Sequence, residues 1–240
     1  MEIIEVKDLS KNYGRIKALN NLNFSIRNKE VFGLLGPNGA GKSTLISILA
    51  TISKPSSGDI LVKGFSSTKQ PQRIKPFIGF VPQDIALYTS LSGIDNLNFW
   101  ASIYGLSGKL KNERIEEALS VVRLTERAKD RVDTYSGGMK RRLNIAVALL
   151  HHPEILVMDE PTAGVDIQSR RYIIDAVGKL RDEGRTVVFT SHYLDEMESL
   201  CDRIAIIETG TIDALGTLDE LLNKYGAESL EDIMLNLNYG

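Results

Sequence analysis

Residues 36–44 read Gly36-Pro37-Asn38-Gly39-Ala40-Gly41-Lys42-Ser43-Thr44, and no other stretch restricts the fold as strongly. The spacing satisfies G-x-x-x-x-G-K-[ST]. Glycines at these positions let successive backbone N–H groups turn toward one point and form a concave anion nest. Lys42 brings a mobile positive charge to that point, and the Ser43 hydroxyl is a hard oxygen ligand suited to Mg²⁺. The flanks agree. Glu30-Val31-Phe32-Gly33-Leu34-Leu35 enters as an apolar strand, and Leu45, Ile46, Ile48 and Leu49 leave with helical spacing. A helix N-terminus therefore faces whatever the loop holds. Strand, phosphate turn and helix in that order predict an α/β fold built on a P-loop nucleotide site. The loop specifies a nucleotide without saying which one, or to what end.

The rest of the chain carries a mixed pattern. Residues 3–6 and 18–26 read as half-buried antiparallel strands, the second with Leu22, Phe24 and Ile26 alternating against Asn21, Asn23 and Ser25. Asn12-Tyr13-Gly14-Arg15 is a turn between them. Ile60-Leu61-Val62 and Ile78-Gly79-Phe80-Val81 are further short strands, the latter ending in Pro82-Gln83. From Asp84 to Thr134 the strand patterns vanish. Ile94, Leu97, Trp100 or Ala101, and Tyr104 step at helical spacing, as do Ile115, Ala118, Leu119 and Val122. The α/β rhythm resumes at Tyr135, with a helix opened by Ser136-Gly137-Gly138 and a buried strand at Ile155–Met158. A helix over 167–181, a strand over 186–190, a helix over 193–200 and a hairpin across Glu208-Thr209-Gly210 follow. The expected fold is a P-loop NTPase (RecA-like) core with an antiparallel β subdomain and an inserted helical subdomain. Residues 1–83 and 135–216 form the core, 84–134 the helical subdomain and 217–240 a short helical tail, together one domain.

Composition narrows the options. A formal net charge of −2 supplies no basic field for bulk nucleic-acid binding. The basic run Lys140-Arg141-Arg142 reads as the solvated face of a helix. Cys201 is the only cysteine, so an internal disulfide is excluded and a reducing compartment fits. Met1-Glu2-Ile3-Ile4-Glu5 is a strand start rather than a signal peptide. No apolar run approaches the ~20 residues of a membrane span, so a membrane role would need a partner chain.

Several further residues could carry chemistry. The apolar strand Ile155–Met158 delivers Asp159-Glu160 to its C-terminal edge, where α/β sheets place ligands; adjacent acids in a solvated loop would not follow such a strand. Ser136 can cap its helix while Gly137 and Gly138 open the N-terminus to an anion. Tyr13 can stack on a base or simply pack. Gln83 can ligate a cation, orient water, or only end a strand. Asp166 suits a helix N-cap. His192, in Thr190-Ser191-His192, can donate to a phosphate or cap a helix. His151 and His152 precede Pro153 and read as positive groups at a helix C-terminus.

Taken together these motifs resemble the ATP-binding subunit of an ABC transporter, nearly end to end. The resemblance implies that Tyr13 stacks on adenine, a contact worth about 1–3 kcal/mol. It implies ATP on Gly36, Pro37, Asn38, Gly39, Ala40, Gly41, Lys42, Ser43 and Thr44, and Mg²⁺ held by Ser43, Gln83 and Asp159. Glu160 would orient or deprotonate the attacking water, with Gln83 and His192 assisting. Ser136, Gly137 and Gly138 would contact ATP bound to a second ATPase subunit, a copy or close paralogue, and Asp166 would lie at that dimer interface. The implied partners are that subunit and a separate membrane permease, with the chain cytoplasmic on the inner membrane face and no nucleic acid. Tyr135 and Met139 stand where the family signature has Leu and Gln, and Ala163-Gly164-Val165 where it has Ser-Ala-Leu. Those departures resemble daunorubicin-resistance and sodium-export ATPases, so export is the expected direction. A soluble ABC-type ATPase acting on nucleic acid or ribosomes is the alternative; it would usually carry a coiled-coil insertion or two ATPase units. A GTPase would need Asn-Lys-x-Asp, and Asn28-Lys29-Glu30-Val31 lacks the final Asp. Tyr88, Leu91, Phe99 and Trp100 suit a permease groove or core packing equally. The cargo is not written in the residues.

Overall fold

A computed structural model describes residues 1–238. The chain opens with a hairpin, β1 (Glu2–Tyr13) and β2 (Ile16–Arg27). β3 (Val31–Leu35) runs through the glycine-rich loop into α1 (Lys42–Leu49). β4 (Ser57–Val62), β5 (Phe65–Ser66) and α2 (Pro71–Ile74) lead to β6 (Ile78–Val81). α3 (Gly93–Ile103) and α4 (Gly108–Val121) follow, then α5 (Gly137–Leu149) and β7 (Ile155–Met158). α6 (Ile167–Asp182), β8 (Thr186–Thr190), α7 (Leu194–Leu200) and the hairpin β9 (Arg203–Glu208) and β10 (Thr211–Gly216) come next. α8 (Leu218–Tyr225) and α9 (Leu230–Asn238) close the described chain.

These strands make two sheets. One is antiparallel, in the order β2-β1-β4-β5; the other is six-stranded, in the order β10-β9-β3-β8-β7-β6, with only β10 running against its neighbour. The six-stranded sheet is apolar on both faces, which explains runs such as Ile155–Met158 that do not alternate. Phe32, Leu34, Val157, Val188, Ala205 and Ile207 pack with α1 and the antiparallel sheet. Their neighbours Val31, Leu35, Leu156, Met158, Phe189 and Ile206 pack on the opposite side with α5 and α6. α1 is thus held between the sheets, which makes its N-terminus a rigid platform.

The first hairpin is longer than its apolar pattern. Strands expected over 3–6 and 18–26 extend to Glu2–Tyr13 and Ile16–Arg27. Polar residues satisfy one another across it: Asp8 N–H donates to Asn23 Oδ1 at 2.9 Å, and Asn21 N–H donates to Ser10 Oγ at 2.9 Å. These bonds span register shifts in the pair, where apolar alternation is broken.

Two surface expectations are corrected. Of Lys140-Arg141-Arg142, both arginines are buried at 8% exposure. Arg142 donates to the carbonyls of Val122 (2.9 Å) and Arg123 (3.1 Å), just past the end of α4, and stacks on Tyr172. A helix end leaves carbonyls without partners, and a guanidinium from another helix can satisfy them. We expect Arg142→Met to lose about 1.5–3 kcal/mol of stability, because those carbonyls stay buried without a donor. Urea unfolding measures this; a loss no larger than that of Lys140→Met would contradict the assignment. The histidines are likewise not charges at a helix end. His151 stacks on Tyr104, with centroids 4.2 Å apart, and its Nε2 lies 3.0 Å from the Ile78 carbonyl. Burial holds both His151 and His152 below the usual histidine range, so they are neutral near pH 7.

Candidate nucleotide and catalytic site

Four parallel strands end on one edge of the large sheet, and each carries candidate residues just past its C-terminus. β3 supplies the glycine-rich loop, β6 supplies Gln83, β7 supplies Asp159 and Glu160, and β8 supplies His192. In this loop glycine is required by space as well as by conformation. A Cβ on Gly36 (φ 153) would lie 2.1 Å from the Ile207 carbonyl oxygen, and one on Gly41 (φ 109) would lie 2.6 Å from that of Ala18.

Lys42 bends back over the loop, its Nζ donating to the carbonyls of Gly36 (2.7 Å) and Pro37 (3.1 Å). Burial pulls its pKa down, and the charges of Glu160 and Asp159 act in the opposite sense. Ser43 Oγ lies 3.4 Å from Asp159 Oδ1. That same oxygen accepts from Thr190 Oγ1 at 3.0 Å, while the Glu160 N–H donates to Thr190 Oγ1 at 2.8 Å. Thr190, fully buried at the end of β8, therefore fixes both acids. Glu160 sits at φ 48, a left-handed conformation uncommon outside glycine and often found where a fold over-determines a working residue. Its carboxylate is held at both ends: Gln83 Nε2 donates to Oε2 at 2.9 Å, and His192 Nε2 lies 2.7 Å from Oε1. Gly39, Lys42, Ser43, Gln83, Glu160 and His192 all line one cavity of ≈ 360 Å³.

The donor set suits a hard cation. The Ser43 hydroxyl faces the Asp159 carboxylate, and the amide nitrogen of Gln83 is engaged by Glu160. Among the described residues no group of three or more His, Cys, Asp or Glu could cage a metal. A cation here would take its remaining ligands from phosphate and water, which is how Mg²⁺ is usually bound.

The other candidates lie elsewhere. Tyr13, at the tip of the β1–β2 hairpin, is 51% exposed, with Lys11 Nζ 4.9 Å from its ring centroid. It does not line the cavity, although Ala18 of the same hairpin does. Ser136 caps α5 by accepting from the Met139 N–H at 3.1 Å, and Asp166 caps α6 by accepting from the Ser169 N–H at 2.9 Å. That amide bond holds the Asp166 carboxyl below the usual range. The two helix starts abut so closely that a Cβ on Gly138 would lie 2.0 Å from Ser169 Oγ. Neither start lines the cavity.

Sequence reading missed three supporting residues. Thr190 looked like the end of a strand. Tyr135 Oη donates to the Arg127 carbonyl at 2.6 Å, anchoring the Ser136 turn to the helical segment. Arg141 donates to the carbonyls of Pro82, at 3.2 Å, and Gln83, tying α5 to the glutamine that grips Glu160.

Comparison with known proteins decides the lineage. Residues 19–163 match the family model described as ABC transporter. The chain belongs to the ABC transporter family. This ABC protein is 47% identical over 228 residues to the linearmycin resistance ATP-binding protein LnrL of Bacillus subtilis (strain 168), covering 95% of this chain and 73% of that one. It is 39% identical over 225 residues to the doxorubicin resistance ATP-binding protein DrrA of Mycobacterium tuberculosis (strain ATCC 25618 / H37Rv), covering 93% and 68%. An ATP-binding subunit of an ABC transporter superposes with TM-score 0.88 at 29% identity over 98% of this chain and 99% of that one. A dimeric ATP-binding cassette in a post-hydrolysis state with ADP and Pi superposes with TM-score 0.81 at 28% identity, covering 90% and 98%. The expected P-loop fold is that of these cassettes, and as an ABC ATP-binding subunit the chain binds and hydrolyses ATP.

Proposed function

We propose that the chain powers export, pairing head to tail with a second ATPase subunit beneath a separate membrane permease. The observation that carries this reading is the Glu160 carboxylate, held between Gln83 and His192 at the edge of the Lys42–Ser43 cavity. Lys42 and the loop amides bind the ATP phosphates, and Tyr13 offers its exposed ring to adenine. Ser43, Asp159 and Gln83 hold Mg²⁺, which neutralises phosphate charge when bound. Glu160 takes the proton of the attacking water, and His192 orients Glu160 and donates toward the terminal phosphate. Both carboxylate oxygens of Glu160 are engaged in this structure, so one must be released before it can act as a base. Gln83 is the partner to be released, because the chain beyond it leads into the helical segment of α3 and α4.

Ser136, Gly137 and Gly138 stand outside their own chain's cavity, which supports a role across a dimer, with Asp166 beside them at the interface. The division into a core of 1–83 and 135–216, a helical subdomain of 84–134 and a tail of 217–240 belongs to the same proposal. The drug-resistance names of the relatives support export. The soluble alternative finds no support: α3 and α4 have 11 and 14 residues, far from a coiled-coil arm.

No described helix is long and apolar enough to cross a membrane. A separate permease fits a groove of ≈ 290 Å³ between α1, β6, α3 and α5, lined by Phe80, Pro82, Ala86, Trp100, Tyr104 and Asn144 among others. The buried Trp100 indole N–H has no partner among the described residues. A permease segment that turns the indole toward the groove would supply an acceptor. Tyr88 and Phe99 extend the apolar face outward, with rings 4.9 Å apart and exposures of 49% and 39%. On this reading the chain works at the cytoplasmic face of the membrane. Trp100→Phe removes the donor and keeps an aromatic side chain, though a smaller one. It should weaken co-purification with the co-expressed permease about tenfold while sparing the ATPase rate of the isolated chain. Undiminished co-purification would reject the groove.

A further inference from the structure

His192 poses a positioning problem. Its side chain is 44% exposed, so packing does not aim its ring at Glu160. Its orientation has to come from the backbone on either side. On the C-terminal side, the first turn of α7 carries Glu196, which is only 2% exposed. Its Oε2 accepts from Thr162 Oγ1 at 2.8 Å and from Ser191 Oγ at 2.5 Å, and its Oε1 lies 2.5 Å from Arg170 Nε. Ser191 Oγ also accepts from the Tyr193 N–H at 3.0 Å, so the residues on both sides of His192 are pinned to one hydroxyl. Arg170 continues to Asp195, at 2.6 and 2.7 Å, and lies over the Tyr193 ring, 3.9 Å from its centroid.

Three segments therefore meet at one buried carboxylate. Thr162 belongs to the loop just after Asp159-Glu160, Ser191 directly precedes His192, and Arg170 lies one turn into α6, whose N-cap is Asp166. None of these residues lines the nucleotide cavity. A buried charge pair is weak evidence for stability, since apolar residues of similar volume often do as well. What an apolar side chain cannot do is accept two hydroxyls and a guanidinium at fixed angles.

We propose that Glu196 is a positioning residue for ATP hydrolysis. It clamps Ser191 to Thr162 so that His192 meets the Glu160 carboxylate, and through Arg170 it ties that geometry to the start of α6. This inference rests on the reading of His192 as acting at Glu160.

The test uses the full chain with Glu196→Gln, Thr162→Val and His192→Ala, the first two also combined with His192→Ala. ATP turnover, KM, ATP affinity and thermal midpoint are measured for each. Glu196→Gln should lower kcat about tenfold or more and Thr162→Val somewhat less, with KM and ATP affinity held within about twofold. In the His192→Ala background neither substitution should slow turnover further, because the residue they position is gone. Should Glu196→Gln not fold, Thr162→Val carries the same comparison, since it keeps the Arg170 pair. A fall in thermal midpoint with unchanged kcat would show a purely structural staple and overturn the proposal. It is overturned equally if His192→Ala is slow and the further substitutions still exact their full penalty. If His192→Ala itself turns over at the wild-type rate, the reading of His192 fails, and the positioning role falls with it.

Discussion

Glu160→Gln will bind ATP and fail to hydrolyse it. The substituted amide keeps the volume of the carboxylate and can still accept from Gln83 at the position of Oε2, so the loop should hold its shape. It cannot accept a proton from water at any useful rate. Removing a general base typically slows an enzyme by about 10²–10⁴-fold, and the loss here should reach the upper part of that range because no second acid lies free. Asp159 is engaged by Thr190 and faces Ser43, so it cannot substitute. Removing one negative charge beside the phosphates should also lengthen the life of the ATP-bound dimer. Phosphate release measures the first effect, and gel filtration with ATP measures the second. A variant that turns over at the wild-type rate would remove Glu160 from the role of base and transfer it to a group outside the Gln83–His192 clamp.

Lys42→Ala should lose the nucleotide itself. A charge-assisted hydrogen bond contributes about 1.5–3 kcal/mol, so affinity should fall roughly ten- to a hundredfold from the missing phosphate contact. The loss should sit toward the larger figure. The ammonium also bonds the Gly36 and Pro37 carbonyls, and without it the loop loses an internal tie as well as a ligand contact. Lys42→Arg should rescue little, because a planar fork on a stiffer head does not fit a nest shaped for a compact charge. Isothermal titration with a non-hydrolysed ATP analogue gives both numbers. Equal affinity in wild type and Lys42→Ala would remove the loop from the binding reading.

The fold class could be read from the sequence because its signals are local. The loop and its flanking strand and helix lie within residues 30–49, and the buried strands announce themselves as unbroken apolar runs. What could not be read depends on partners far along the chain. Arg141 and Arg142 look like solvated charge until their acceptors, carbonyls near residues 82 and 122, are known. The first hairpin outruns its hydrophobic pattern because Asp8, Ser10, Asn21 and Asn23 satisfy each other across it. In the candidate site, the P-loop spacing and Asp159-Glu160 are visible in the residues themselves, Gln83 and His192 only through the family resemblance, and the structure brings them together. Thr190 and Glu196 are not visible, since a threonine ending a strand and a glutamate in a helix are ordinary until their hydrogen bonds are traced.

The placement of β3 in the middle of its sheet has a consequence for biosynthesis. Its neighbours are β8 and β9, and the Val31 N–H is taken by Asp202 Oδ2 at 2.8 Å. The turn at Gly36 rests on the carbonyl of Ile207. On a ribosome adding ~5–20 residues per second, the loop emerges roughly 10–30 s before the strand that braces it. Through that interval the β1–β2 hairpin can form from its own residues, while β3 waits as an unpaired apolar edge of the kind chaperones shield. Affinity for nucleotide should thus arise only once β9, at Arg203–Glu208, has left the exit tunnel, and a product truncated before that strand should be unable to compete for ATP.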